Sequence, residues 1–337
     1  WQMYDPSGIA QCGKDVGSEM RAMPEGSYIC QACRQSMEMD PAQILRDMLA
    51  QKEGKPAQKE GLPVIAGYRI KRRIVIGGYG SVYLAESESD ARRVAIKVML
   101  PRVAVDENAR TKFSREIGLL TGLRHENVVA VYDSGSAGSA FYFVMEHCPG
   151  GSVADYMEAQ GGKLTPAVAL LIMRQALQGL AFVHQKSVVH RDLKPHNILL
   201  AGTPTAPIAK IADLGLAKNF ERAGLSGHTM TGAYAGTPIY MPKEQLTGYK
   251  YVKPVSDVWS LGATFYNMLT GATPRDFPKG CDPLEVILKG EIIPIRRRDS
   301  GIPAGLAEVL DRAVAASAKD RYADAGEMLT DMQQVRL

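Results

Sequence analysis

Cysteine is scarce in this chain: five in 337 residues, an odd number with no dense framework. That excludes a disulfide-stapled scaffold and points to a reducing compartment, so a cytoplasmic location is expected. An excess of either charge is also missing. The 40 Lys and Arg face 36 Asp and Glu, leaving +4, too little to imply nucleic acid or an anionic membrane as partner. The local clusters Arg69-Lys71-Arg72-Arg73 and Arg296-Arg297-Arg298 read as solvated faces. No apolar run approaches the roughly 20 residues a membrane span needs, and no basic, apolar, small-residue leader opens the sequence. The first residue is Trp1 rather than Met, so a processed or trimmed piece is expected, with any membrane anchor beyond its ends. Internal repeats and low-complexity tracts are absent, which excludes repeat architectures.

What is present is ordinary for a globular protein: 45% apolar and 23% charged residues. The length suffices for two or three cores, so a large domain with an appendage is expected. Residues 1–40 lack long apolar periodicity and hold Cys12, Cys30 and Cys33. From Pro41 to Lys52, Ile44, Leu45, Met48 and Leu49 recur at helical spacing behind Asp40 as N-cap. Glu53 to Gly61 reads as a linker. From about Leu62 the texture turns to short β-type runs: Tyr68–Val75, Ser81–Ser87, Arg93–Met99, Val128–Tyr132 and Ala140–Glu146, with one helix at Asn108–Leu123. After Gly151 it is mostly helical, with Thr165–Gln185 and Val255–Thr270 the longest candidates. Strands first and helices second predict two lobes with a cleft between them. The boundaries expected are 1–40, 41–63 and 64–337, the last split into 64–147 and 148–337.

The stretch from His190 to Asn197, His-Arg-Asp-Leu-Lys-Pro-His-Asn, places an acid, a cation and an amide within six residues between apolar runs. Asp192 can accept a proton from an attacking hydroxyl, Lys194 can neutralise a transferring phosphoryl group, and Asn197 can hold a metal ion. That set suits phosphoryl transfer, where positioning and charge stabilisation dominate. Upstream, Gly77, Gly78 and Gly80 flank Tyr79 in a turn between strand-like runs, and bare glycine backbone can approach phosphate closely. The strand Val94-Ala95-Ile96-Lys97 presents one lysine, and Glu116 lies at the edge of an apolar helical stripe of Ile117, Leu120 and Leu123. A carboxylate at a core edge needs a cation, and Lys97 is the natural candidate. Downstream, Ile208 to Gly215 runs as a strand into Asp213, which with Asn197 could bind Mg²⁺ through oxygen.

With these motifs in order, residues from about 66 to 335 resemble the eukaryotic-type protein kinase family, in its bacterial serine/threonine branch. The resemblance implies an α+β, bilobal protein-kinase-like fold, with a β-rich N-lobe and a helical C-lobe. It implies an enzyme that transfers the γ-phosphoryl group of ATP to Ser or Thr of a protein substrate with Mg²⁺. In that pattern Gly77, Gly78, Tyr79 and Gly80 cover the phosphates, and Lys97 pairs with Glu116. Asp192 orients and deprotonates the hydroxyl beside Lys194, and Asn197 and Asp213 hold Mg²⁺. Val82, Ala95 and Leu199 sandwich adenine, Met145 is the gatekeeper, and Glu146 to Cys148 form the hinge. Asp257 opens a helix that anchors the catalytic loop, and Arg321 pairs with Glu244. Lys194 and Gly236-Thr237-Pro238 resemble the serine/threonine type, with Thr237 on the active-site floor. Arg191 resembles kinases controlled by activation-loop phosphorylation, for which Ser226, Thr229 and Thr231 are candidates, by autophosphorylation in trans.

Three positions depart from the pattern. Val75 stands where a first glycine is usual, so the strand is expected to run a residue further. Leu214 replaces a phenylalanine, an apolar swap that typically costs under about 1.5 kcal/mol. Met241-Pro242-Lys243-Glu244 replaces Ala-Pro-Glu while keeping Glu244 in register. None of the charged catalytic positions is lost, which favours an active enzyme over the alternative, a pseudokinase scaffold.

Cys30 and Cys33 have knuckle spacing, with Cys12 preceding them by 17 residues, and Ile9 stands where a first ligand would be. Three thiolates do not close a tetrahedral site. The appendage therefore reads either as a zinc-ribbon-like module completed by another group such as Asp5 or a partner, or as a metal-free remnant. Cys148 and Cys281 read as ordinary thiols.

Overall fold

The computed structural model describes residues 62–77, 80–99, 118, 120–137, 140–203, 206–214, 238–248 and 252–337, with the backbone of 20–22 and 28–30. In the amino-terminal part, β1 (Met20–Ala22) pairs antiparallel with β2 (Tyr28–Cys30), which sets Met20 opposite Cys30. Cys12, Cys33 and the expected helix at Pro41–Lys52 lie outside the described residues. So does most of Asn108–Leu123, of which Gly118, Leu120 and Thr121 are helical.

Five strands build the first lobe: β3 (Tyr68–Gly77), β4 (Gly80–Ser87), β5 (Arg93–Met99), β6 (Val131–Ala137) and β7 (Ala140–Glu146). They form one antiparallel sheet in the order β3-β4-β5-β7-β6. Alternation sorts its faces. Val94, Ile96, Ala85 and Val144 join Ile65 in a small outer cluster, whereas Ala95, Met99, Phe143 and Met145 face the main core. Lys97 shares its parity with Ala95 and Met99, so period two alone aims it at the second lobe. β3 runs through Gly77, beyond the expected end, with register shifts between Ile70 and Arg72 and between Arg73 and Val75.

The strand expected at Val128–Tyr132 is instead Val131–Ala137. Val128 forms a parallel bridge with Ile211, and the Val129 amide donates to the Ile211 carbonyl at 2.9 Å. The apolar run is a fully buried crossing into the second lobe, and β6 pairs through the mixed residues that follow it.

The second lobe begins with α1 (Val153–Ala159), capped reciprocally by Ser152 and Asp155. Next comes α2 (Pro166–Gln185), with Thr165 as N-cap and Pro166 at its first position. At 20 residues with mean hydropathy 1.5, α2 is long and apolar enough to cross a membrane, which corrects the expectation that no such run exists. Here 61% of that window is buried inside the protein, against the segments Ala206–Ile211, Pro254–Thr270 and Ala325–Gln334. A helix apolar on most sides needs protein or lipid around it, and in this fold protein surrounds it.

Hairpin β8 (Ile198–Thr203) and β9 (Ala206–Ile211) precedes α3 (Lys243–Thr247) and α4 (Pro254–Thr270). Trp259, Phe265 and Tyr266 of α4 are fully buried, and Gly271 ends it at φ +72°. α5 (Pro283–Lys289), α6 (Ile295–Arg298), α7 (Ala304–Ala313) and α8 (Ala325–Gln334) close the lobe. One continuous core spans Ala95 and Met145 of the sheet and the buried faces of α2, α4, α7 and α8.

Candidate active site

The loop from His190 to Asn197 is held from below by α4. Asp257, 1% exposed, accepts the His190 amide on Oδ2 at 2.6 Å and the Arg191 amide on Oδ1 at 2.8 Å. His184 Nε2 meets the same Oδ2 at 3.1 Å. A buried carboxylate that accepts from several donors is held rigidly, so Asp257 fixes the loop's entry. Arg191 takes φ +68° there, and the Gln245 side chain of α3 donates to its carbonyl at 2.8 Å.

His190 is fully buried. Its Nδ1 faces the Asp192 amide at 3.3 Å and its Nε2 the Ala212 carbonyl at 2.8 Å. An amide can only donate and a carbonyl only accept, so the proton resides on Nε2. One imidazole thereby fastens the loop to the segment that follows β9.

Asp192 Oδ2 accepts from Lys194 Nζ at 2.9 Å and Asn197 Nδ2 at 3.0 Å. Asn197 Nδ2 also donates to the Asp192 carbonyl at 2.7 Å. Oδ1 accepts no hydrogen bond among the described residues, so one carboxylate oxygen is fixed and the other is left for an incoming hydroxyl. Asn197 closes a short 3₁₀ turn, Pro195–Asn197, and its carbonyl accepts the Ala212 amide at 2.9 Å.

Asp213 follows with φ +58°, a left-handed value uncommon outside glycine. That turn brings its Oδ2 within 2.7 Å of Lys97 Nζ across the lobes. Burial pushes the Asp213 carboxyl up, but the charge and hydrogen bond of Lys97, helped by Lys194, hold it below the usual range. The carboxylate predicted for Lys97 was Glu116, which lies outside the described residues; among the described residues Lys97 pairs with Asp213.

The residues present fit a hard cation. Asn197 Oδ1 has no hydrogen-bond partner among the described residues, because the amide's donors serve Asp192, and Asp213 keeps one oxygen not engaged by Lys97. Both are oxygen donors of the kind Mg²⁺ takes. The proposed adenine walls also fit: Val82 and Leu199 pack on the cluster that contains Ala95 and Met145. The Cys148 backbone amide makes no hydrogen bond among the described residues, which leaves it available to a ligand acceptor. The Cys148 thiol is pushed up to about 12 by burial and Glu146, against Lys210, so it stays protonated and unreactive.

Gly77 ends β3 opposite Gly80. Gly80 takes φ +152°, and a Cβ there would collide with the Val98 carbonyl, so the hairpin requires glycine at that point. Gly78, Tyr79, Gly215, Ser226, Thr229, Thr231, Gly236 and Thr237 lie outside the described residues. Leu214 is 5% exposed within the main core, so the apolar replacement is accommodated by burial. Glu244 keeps its pairing: Arg321 Nη1 donates to Oε1 at 2.6 Å, and the Ser256 hydroxyl to the same oxygen at 2.9 Å.

Two features escaped the sequence reading. His190 was read only as the head of the motif, although its ring joins two segments. Lys210, 7% exposed, pairs with Glu146 at 3.1 Å, so the strand leading to Asp213 is tied to the end of β7. The available signal was a lysine in the otherwise apolar run Ile208 to Ala212, where a buried cation demands a carboxylate.

These elements define a class: a bilobal α+β protein whose strand-rich and helical lobes meet over a lysine, two aspartates and an asparagine. Residues 68–330 match the family described as protein kinase domain, and the chain belongs to that family. Among curated relatives it is similar to serine/threonine-protein kinase PknB of Mycobacterium tuberculosis, 35% identical over 275 residues, covering 80% of this chain and 42% of that protein. It is also similar to serine/threonine-protein kinase PrkC of Bacillus subtilis, 33% identical over 273 residues, covering 81% of this chain and 41% of that protein. The chain thus spans less than half the length of these relatives. Among solved structures, the PknI kinase domain of Mycobacterium tuberculosis shares the fold at TM-score 0.62 and 24% identity, covering 83% of this chain and 99% of that one. Family membership implies ATP and Mg²⁺ as cofactors.

Proposed function

We propose that this chain is an active protein serine/threonine kinase that transfers the γ-phosphoryl group of ATP to a protein hydroxyl. The observation that carries the proposal is the state of Asp192: one oxygen is held by Lys194 and Asn197 while the other accepts no hydrogen bond among the described residues. In this reading Oδ1 orients the substrate hydroxyl and takes its proton. Lys194 and Lys97 stabilise charge that develops on the transferring group. Asn197 and Asp213 would hold Mg²⁺, which when bound neutralises phosphate charge. The hinge Glu146 to Cys148 would receive adenine between Val82, Ala95 and Leu199.

The domain organisation proposed is a kinase domain at 64–337, a connecting segment at 41–63, and a zinc-ribbon-like module at 1–40. The short hairpin ending at Cys30 supports that module, since ribbons carry their thiolates at hairpin ends. Sparse cysteines and ATP-dependent chemistry support a cytoplasmic setting for the domain. Activation by autophosphorylation in trans at Ser226, Thr229 or Thr231 is part of the same proposal, supported by Arg191 beside Asp192.

Asp192→Asn tests the central role. Phosphotransfer to a Ser-containing protein should fall by roughly 10²–10⁴, as for loss of an acid–base group. Turnover within a few-fold of the unaltered chain, with folding intact, would refute the role. Absence of any ATP-dependent phosphotransfer by the unaltered, phosphorylated chain would favour a pseudokinase scaffold.

A further inference from the structure

Arg275 follows α4 and is only 4% exposed. Its guanidinium lies 4.5 Å from the centre of the Trp259 ring, but Nε and Nη1 are buried with no hydrogen-bond acceptor among the described residues. Stacking satisfies the face of the cation and leaves its N–H edge unanswered. Glu244, whose charge acts on Arg275, is already committed to Arg321 and Ser256. Burial and the neighbouring Arg321 pull the Arg275 value down to about 10, against Glu244. The backbone around it is also held. The Pro274 carbonyl accepts the Ile293 amide at 2.8 Å, the Arg275 carbonyl accepts the Thr273 hydroxyl at 2.9 Å, and Asp276 binds Arg298 at 2.6 Å.

Beside Arg275 is a cavity of about 460 Å³. Its lining includes Lys243 of α3, Lys289 at the end of α5, the apolar Ile287 and Ile292, and one acid, Glu291. Lys289 spends part of its charge on Glu285 at 2.9 Å, whereas Lys243 forms no ion pair among the described residues. A buried cation lacking an acceptor, in a cavity with excess positive charge, matches an anion that brings its own oxygens. The apolar walls suit a side chain with a carbon stem and a charged head.

We propose that this cavity binds an oxyanion group, phosphate or carboxylate, carried by a polypeptide that docks on the helical lobe. As a substrate-docking site it rests on the protein kinase reading; oxyanion binding itself does not. The chain has two tryptophans, Trp1 and Trp259, so in a Trp1→Phe background fluorescence reports the ring stacked on Arg275. The whole chain, without ATP, is titrated at constant ionic strength with inorganic phosphate, then with three peptides alike except for one phosphoserine, glutamate or serine. Saturable responses are expected to phosphate and to at least one acidic peptide, with little to the serine peptide; the tighter of the two acidic peptides identifies the source of the oxyanion.

Arg275→Met should weaken that binding at least about tenfold, the loss of a charge-assisted pair, and Lys243→Gln several-fold. Should Arg275→Met fail to fold, Arg275→Lys keeps the charge, loses the planar fork, and must also weaken binding. Equal affinity in the folded Arg275 variant, a response matched by chloride, or no preference for either acidic peptide would overturn the proposal. Because no turnover is read, a separate failure of phosphotransfer would refute the kinase reading and leave this result standing.

Discussion

Replacing Arg321 by Ala tests how the end of the activation segment is fastened to the helical lobe. The Arg321 side chain is 0% exposed and donates to both Glu244 oxygens, at 2.6 and 3.4 Å, and to the Ala315 and Ala316 carbonyls at 2.7 and 3.1 Å. Removing it strands Glu244 and two carbonyls. Breaking a buried pair typically costs 3–5 kcal/mol. Glu244 remains 30% exposed, so the low end, about 3 kcal/mol, is expected. For a domain of this size that corresponds to a fall in Tm of about 6–12 °C. Replacing both partners, Glu244→Leu with Arg321→Met, should restore much of the loss, because an apolar pair leaves no orphaned charge.

The same pair predicts a pH dependence. Burial raises the Glu244 carboxyl, but the hydrogen bond and charge of Arg321, helped by Ser256, outweigh it and hold it below its ordinary value. A depressed carboxyl contributes stability that is complete above its unfolded-state pKa, about 4.3. That contribution is lost as pH falls through the lower folded value. The gap between the unaltered chain and Arg321→Ala, measured by thermal or denaturant unfolding, should therefore narrow on acidification from pH 7 to below about 4. A Tm change under about 2 °C at pH 7, or a gap that widens in acid, would refute the reasoning.

Gly179→Ala on α2 would drive a Cβ into the Asn127 carbonyl, so it should destabilise by roughly 1–3 kcal/mol, the range for overpacking, as read from the urea midpoint. An unchanged midpoint would show that the crossing segment yields. Lys97→Met strips Asp213 of its cation, and phosphotransfer should drop by roughly 10² or more, as for loss of a charge-stabilising donor. Near-normal turnover with intact folding would remove Lys97 from the machinery. For the amino-terminal module, elemental analysis of metal-replete chain should find near-stoichiometric zinc, lost on Cys30→Ser; metal-free protein refutes a bound site and leaves the metal-free remnant.

Much of this was legible in the sequence because the informative signals are local. The short β-type runs Arg93–Met99 and Ala140–Glu146 coincide with β5 and β7 to the residue, and the helical run Thr165–Gln185 with α2 and its cap. Asp192, Lys194 and Asn197 lie within six residues, so their convergence needed only a tight turn. The strand at Val131–Ala137 was misplaced because its hydrophobicity belongs to the preceding crossing at Val128 and Val129. Burial on every side carries no period. For α2 the apolar surface was underestimated, since an apolar helix in a core and one in lipid share a composition.

The opening scarcities still frame the molecule. Few cysteines and balanced charge left noncovalent packing and paired charges to hold it, and the sequence by itself determined the two-lobe order, the catalytic loop and the family. Tertiary structure decided the partners. Lys97 meets Asp213 from 116 residues away, Glu146 meets Lys210, and Asp257 receives the amides of His190 and Arg191. It also left Nε and Nη1 of Arg275 buried without an acceptor among the described residues. A residue's type and spacing announce which charges must be answered. Only the closed chain, where desolvation makes an unanswered charge costly, decides which group answers.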